Sequence, residues 1–203
     1  MTIAQEYNHL NAKEFLLIHH KKTYKEITDV IASINAATHL TKVSDEKNKK
    51  GVLKYSPVSL NLEFKQKLEA YGWQDTRKDF FVSTDPDVVK QLETLDFASQ
   101  KILLTKLKLP LHDSYNQTDF VKNKIAIEVQ LGKYFAVTYD LFVKHLSFYT
   151  GQIIDVGIEV VPTKAMQQHM SSGPPWFEKE VHNVLRHGRT NPPVPILMLG
   201  IEP

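Results

Sequence analysis

The chain contains no cysteine, which removes disulfide frameworks, thiolate metal sites and cysteine nucleophiles in one step. Long apolar runs are missing too. None approaches the ~20 residues that a membrane-spanning helix needs, so no membrane partner is expected. The opening MTIAQEYNHLNAKEF has no basic stretch followed by an apolar one, and does not read as a signal peptide. An excess of one charge is also lacking: 25 Lys and Arg stand against 23 Asp and Glu, a net charge of +2. A protein that works by coating phosphates would be more basic, so any contact with nucleic acid must rest on local patches. There is no repeat at solenoid period and no low-complexity segment. What remains is 203 residues, 42% hydrophobic and 24% charged, the composition of a soluble globular protein able to bury a core without staples. One domain over residues 1–203 is expected.

Apolar residues at helical spacing (Tyr24, Ile27, Val30, Ile31, Ile34) predict a helix over Lys21 to Asn35. Phe15 to His20 fits helix or strand. Thr41 to Lys54 is polar and rich in lysine (Lys42, Lys47, Lys49, Lys50, Lys54) and reads as a loop or arm, either solvated or in contact with phosphates. Asn61 is a candidate N-cap for a helix bearing Phe64, Leu68 and Tyr71 that Gly72 would end. Phe80 to Val82 suits a short strand. Thr84-Asp85-Pro86 then opens a helical region to about Lys108, terminated by Pro110.

Lys124 to Gln130 (K-I-A-I-E-V-Q) alternates as a strand does, with Ile125, Ile127 and Val129 on one side and Ala126, Glu128 and Gln130 on the other. Tyr139 to Tyr149 looks helical, with positions for core or dimer packing. Ile153 to Val161 is a second strand, closed by Pro162. Ser171-Ser172-Gly173-Pro174-Pro175 is a loop, Trp176 to His187 a helix, and Val194 to Ile201 a final strand. This alternation predicts an α/β fold with a mixed central sheet flanked by helices.

Phosphodiester hydrolysis needs an activated water, an offset phosphate charge and a stabilised leaving oxygen. Hard divalent cations held by carboxylates can meet all three needs. An acidic residue at one strand, another on its neighbour, and a polar group two residues later would stand on one face. Asp119, Glu128 and Gln130 have that order. As a bare pattern it equally describes a turn aspartate beside a solvated strand face. The nine histidines offer no competing site: His182 and His187 are five apart, wrong for one helical face, and no H-E-x-x-H occurs. Asp155 and Glu159 share a strand face and are read as structural.

The block S-Y-N-Q-T-D-F-V-K-N-K-I-A-I-E-V-Q-L-G-K-Y (Ser114 to Tyr134) closely resembles the active-site region of BstYI-like type II restriction endonucleases, in the BglII/BamHI branch of the PD-(D/E)xK nucleases. Y-S-P-V at Tyr55, Y-D-L-F-V-K-H at Tyr139, I-D-V-G-I-E at Ile154, M-S-S-G at Met170 and the closing L-G-I-E-P extend the likeness over nearly the whole length. The resemblance implies a restriction-endonuclease-like core and a bacterial cytoplasmic homodimer that needs Mg²⁺. It also implies cleavage of double-stranded DNA at the palindrome R-GATC-Y, after the first base, by metal-activated water. By position, Asp119 and Glu128 become metal ligands and, with Gln130, the catalytic set. Gln130 stands where most of this superfamily has lysine. An amide neither carries charge nor acts as a base near neutral pH, so Gln130 can only position the water.

Lys133 and Ser172 match positions through which this branch contacts its recognition sequence, and Ser171 is a neighbour. Lys donates to guanine O6 or a purine N7; Ser donates or accepts. Taken without the likeness, Lys133 would be a solvated surface lysine. Arg186 and Arg189 are candidates for DNA contact, or simply cations favoured at a helix C-terminus. Rival readings are another nuclease on the same fold, a DNA-binding protein without cleavage, and an interaction protein.

Overall fold

The computed structural model describes every residue except Glu46, Asn48 and Ser172. A six-stranded sheet is built from β1 (Thr2–His9), β4 (Gln74–Phe81), β5 (Asp113–Lys122), β6 (Ile125–Val129), β7 (Val156–Pro162) and β8 (Ile196–Glu202). A two-stranded hairpin, β2 (Leu40–Val43) with β3 (Leu53–Tyr55), stands apart. The strand order across the sheet is β1-β8-β7-β6-β5-β4. β6, β7 and β8 run parallel, while β5, β4 and β1 are antiparallel to their neighbours. The sheet is therefore mixed, as the sequence predicts.

The period of two sorts the central strands into two cores. Ile125, Ile127 and Val129 of β6, with Val156, Ile158 and Val160 of β7, meet α1 (Ala12–His19), α2 (Lys21–Ser33) and α3 (Pro57–Ala70) through Leu16, Ile27, Ile31, Leu60 and Phe64. The opposite face carries Ala126, Glu128 and Glu159. It is covered by a continuous helical stretch of α6 (Ala136–Tyr139), a π-helical turn at Asp140–Lys144 and α7 (His145–Thr150), which buries Val137, Leu141 and Phe148. The longer α9 (Phe177–Arg186) also packs on this side, through Phe177 and Val184, whereas the short α8 (Lys164–Gln167) adds Met166 to the first core. In α4 (Pro86–Leu92) and α5 (Phe97–Lys106), Val88, Leu92 and Leu104 form a small separate core with Phe81.

Several elements differ from the sequence expectation. α3 starts at Pro57, not after Asn61, because Ser56 caps it by accepting from the Ser59 N–H at 3.3 Å and Pro57 fits the first turn. The helical region after Asp85 breaks in two because Asp96 caps a second helix, accepting from the Ser99 N–H at 2.8 Å. The lysine-rich arm contains the β2–β3 hairpin. β5 is long enough to include Asp119, which the sequence places ahead of the strand. β1 has no clear signal in the sequence: an edge strand half open to solvent lacks an apolar period. No described helix is long and apolar enough to cross a membrane.

Candidate active site

Asp119 and Glu128 reach each other across the β5–β6 pair. That pair is antiparallel with Phe120 opposite Ile127, and the next step of the register sets Asp119 beside Glu128. The Asp119 N–H donates to Glu128 Oε1 at 3.3 Å, and the Val129 N–H donates to Asp119 Oδ2 at 3.4 Å. Asp119 is open to solvent while Glu128 is wholly buried. Gln130 follows β6, its N–H still donating to the Val160 carbonyl at 3.0 Å.

Two residues that the strand pattern cannot reveal complete the arrangement. From the π turn, Asp140 accepts from Gln130 Nε2 at 2.7 Å through Oδ2. Lys144 lies between two carboxylates, with Nζ 2.7 Å from Glu128 Oε1 and 2.8 Å from Asp140 Oδ1. Single-turn π segments recur at functional sites; here the His145 N–H reaches back to the Asp140 carbonyl. The helix can lie this close to the sheet because β7 has Gly157, where a Cβ would stand 2.7 Å from His145 Nδ1.

The electrostatics follow from burial. Burial, with the carboxylates of Asp119 and Asp140 added, pushes Glu128 up to about 8 against the pull of Lys144. Burial also raises Asp140, opposed by Lys144 and the Gln130 amide. For Lys144, burial works against the charge, yet the Glu128 and Asp140 carboxylates more than offset it and raise its pKa. Glu159, the β7 neighbour of Glu128, is raised well above the carboxylate range by burial. His145, 3.5 Å from Glu159 Oε2, is held down to about 3 by burial and by Lys144.

A cleft of 1030 Å³ joins several expected site residues: Asp119, Gln130, Lys133 and Ser171 line it, together with Asp140 and Lys144. Lys42 from the hairpin also lines it. Ser171 is tied to that hairpin, its N–H donating to the Tyr55 carbonyl at 3.1 Å. Ser172 lies outside the described residues. Arg186, in the last turn of α9, and Arg189, just beyond it, are exposed and do not line the cleft. Asp155 does not pair with Glu159; it is half open and 3.6 Å from Lys124 Nζ.

Among the described residues no group of three or more His, Asp or Glu side chains is gathered for a metal. Mg²⁺ does not require one, because it keeps several waters and binds through one or two carboxylates and substrate phosphate. Asp119 with Glu128, whose Oε2 is buried without a hydrogen-bond partner among the described residues, fits that donor set.

Comparisons with known proteins bear on the fold and the family. The structure of restriction endonuclease BglII complexed with a DNA 16-mer superposes with a TM-score of 0.67 at 19% identity, covering 98% of this chain and 78% of that one. No curated protein sequence matches the chain. The family model described as restriction endonuclease BglII/BglIII matches residues 4–201. With nearly its whole length inside that family, the chain belongs to the BglII/BglIII restriction endonucleases and is a type II site-specific deoxyribonuclease.

Proposed function

We propose that this enzyme cuts double-stranded DNA at R-GATC-Y after the first base, as a Mg²⁺-dependent, BstYI-like homodimer. One observation carries the reading: Asp119 and Gln130, with Glu128 beside them, meet on adjoining strands at a cleft that also receives Lys133 and Ser171. Asp119 and Glu128 would hold Mg²⁺, which when bound supplies positive charge at the scissile phosphate and acidifies water. Gln130 orients the attacking water. The water oxygen adds to phosphorus as the 3′ oxygen leaves, giving 5′-phosphate and 3′-hydroxyl ends. Lys133 donates to a purine N7 or to guanine O6, and Ser171 and Ser172 contact the same sequence.

A palindrome is read most simply by a two-fold dimer. Tyr134, Phe135, Tyr139 and Val143 are exposed along one side of the helical stretch and supply an apolar contact for it. The test is digestion of a DNA of known sequence with Mg²⁺, followed by mapping of the ends. The expected product carries 5′-GATC overhangs at AGATCT, AGATCC and GGATCC alike. Ends at another sequence refute the assigned site, and strictly monomeric enzyme making concerted double-strand cuts refutes the dimer.

A further inference from the structure

The Gln130 amide has a polarity, and the helix above the sheet sets it. An amide offers an acceptor oxygen at one end and two N–H donors at the other, while an ionised carboxylate only accepts. Asp140 is buried, its side chain 2% exposed. Its two oxygens face two different donors: Oδ1 meets Lys144 Nζ at 2.8 Å, and Oδ2 meets Gln130 Nε2 at 2.7 Å. Lys144, its side chain only 12% exposed, also meets Glu128 Oε1. An unbroken chain of charge-assisted hydrogen bonds therefore runs Glu128–Lys144–Asp140–Gln130, linking two residues at the C-terminal end of the catalytic strand. It passes wholly through residues of the π turn.

We propose that Asp140 and Lys144 are positioning residues for the cleavage reaction. Lys144 holds Asp140 as an acceptor. Asp140 anchors the Gln130 N–H, so that Gln130 presents its carbonyl oxygen to the attacking water. The inference deepens the functional reading above and rests on it. A water that donates one O–H to Gln130 Oε1 has its orientation fixed, with a lone pair left to aim at phosphorus. No proton is transferred to the amide. A lysine at position 130 could only donate; here the strand contributes an acceptor, and the cation comes instead from the helix, as Lys144. Both halves of the arrangement depend on the closeness of helix to sheet that Gly157 permits.

The test uses the full chain in two ways. In metal-free protein carrying ¹⁵N-labelled glutamine side chains, the Gln130 amide signal is identified by its loss in Gln130→Ala. It should lie away from the free-amide position with slowed exchange, and Asp140→Asn and Lys144→Gln should each return it toward that position. In cleavage at saturating DNA and Mg²⁺, Asp140→Asn should lower kcat roughly 10²-fold with KM little changed, the cost of a misplacement of about 1 Å. In a Gln130→Ala background the same substitution should alter kcat by no more than about 2-fold, because its effect passes through the missing amide. Lys144→Gln provides the same cycle if Asp140→Asn does not fold. A Gln130 signal at the free-amide position, or effects that multiply in the double variant, overturns the inference while leaving the nuclease reading intact. A wild type that cleaves no DNA overturns both.

Discussion

Glu128 and Glu159 are register partners on adjacent parallel strands, both completely buried beneath the same helical stretch. Their chemistry diverges because of what the helix sets above them. Over Glu128 it sets Lys144 at 2.7 Å, and Asp119 stands at the open side. Over Glu159 it sets His145 at 3.5 Å, and neither Glu159 oxygen has a hydrogen-bond partner among the described residues. Burial is the same, so it does not distinguish a working carboxylate from a structural one. A buried carboxylate with a cation at its side and a cleft at its edge can exchange that cation for another. One enclosed beside an uncharged imidazole is stable only when it carries its proton. Glu128 is of the first kind and Glu159 of the second.

The comparison breaks first under amide substitution. Glu128→Gln removes a proposed metal ligand and should lower kcat by ~10³-fold or more, since several kcal/mol of charge stabilisation are at stake. Asp119→Asn should do the same. Both variants should keep sequence-specific DNA binding in Ca²⁺. Glu159→Gln keeps the shape of a carboxyl that is already neutral and should leave cleavage within about 10-fold, the mild end of losses from mutating a group behind a metal ligand. Equal losses at positions 128 and 159, measured on one substrate, would erase the distinction.

Removing the cation is the next test. Lys144→Met leaves Glu128 and Asp140 buried without their shared partner, a kind of change that costs about 3–5 kcal/mol. Denaturant unfolding should show the loss, larger at pH 8.5 than at pH 6, where the carboxylates can take up protons instead. An unchanged midpoint at both pH values would mean that Lys144 does not neutralise the pair.

These two predictions turn on residues of unequal visibility. Asp119, Glu128 and Gln130 were legible because a strand repeats every two residues, and because the surrounding block resembles a known active site. Asp140 and Lys144 were not. Ten or more residues from the strand, they read as an ordinary i,i+4 helix pair, and no sequence period announces a π turn. The sequence pairs Glu159 with Asp155 on one strand face. The structure instead leaves Asp155 at the rim and buries Glu159 alone, because β7 begins only at Val156. The mixed sheet was readable from apolar alternation in its buried strands, whereas β1 and the β2–β3 hairpin were not, being short or half polar.

A smaller effect appears in the pH dependence of metal-free stability. Glu128 is raised from 4.5 to about 8, so between those values the folded chain keeps a proton that the unfolded chain gives up. Its contribution is complete below pH 4.5 and is lost as pH rises through 8. Glu159 and Asp140, also raised, act in the same direction. His145, lowered to about 3, acts in the opposite one, but only below its ordinary value of 6.5. The clean window is therefore pH 6.5 to 8.5. There wild-type stability should fall more steeply than that of Glu128→Gln, which retains the Glu159 contribution but loses that of Glu128. Parallel curves for the two proteins would place the proton elsewhere.

The smallest expected change is none at all, in the shape of the pH–rate profile of Gln130→Ala. Gln130 sits two residues from Glu128 and lines the cleft beside Asp119, so its loss should slow cleavage by roughly 10²-fold if it orients the water. An amide has no proton to exchange near neutral pH. Whatever limbs the profile shows must then belong to other groups: the water, the carboxylates or the DNA. Measured at saturating Mg²⁺ between pH 6 and 9, the curves for wild type and Gln130→Ala should be displaced vertically and otherwise superpose. Glu159→Gln should give the same shape with little displacement, because a carboxyl that stays neutral contributes no limb in that range. A limb that disappears in Gln130→Ala would show that position 130 governs a proton transfer, which an amide reaches only through the group it anchors. Asp140, 2.7 Å from Gln130 Nε2, would then be the base to examine.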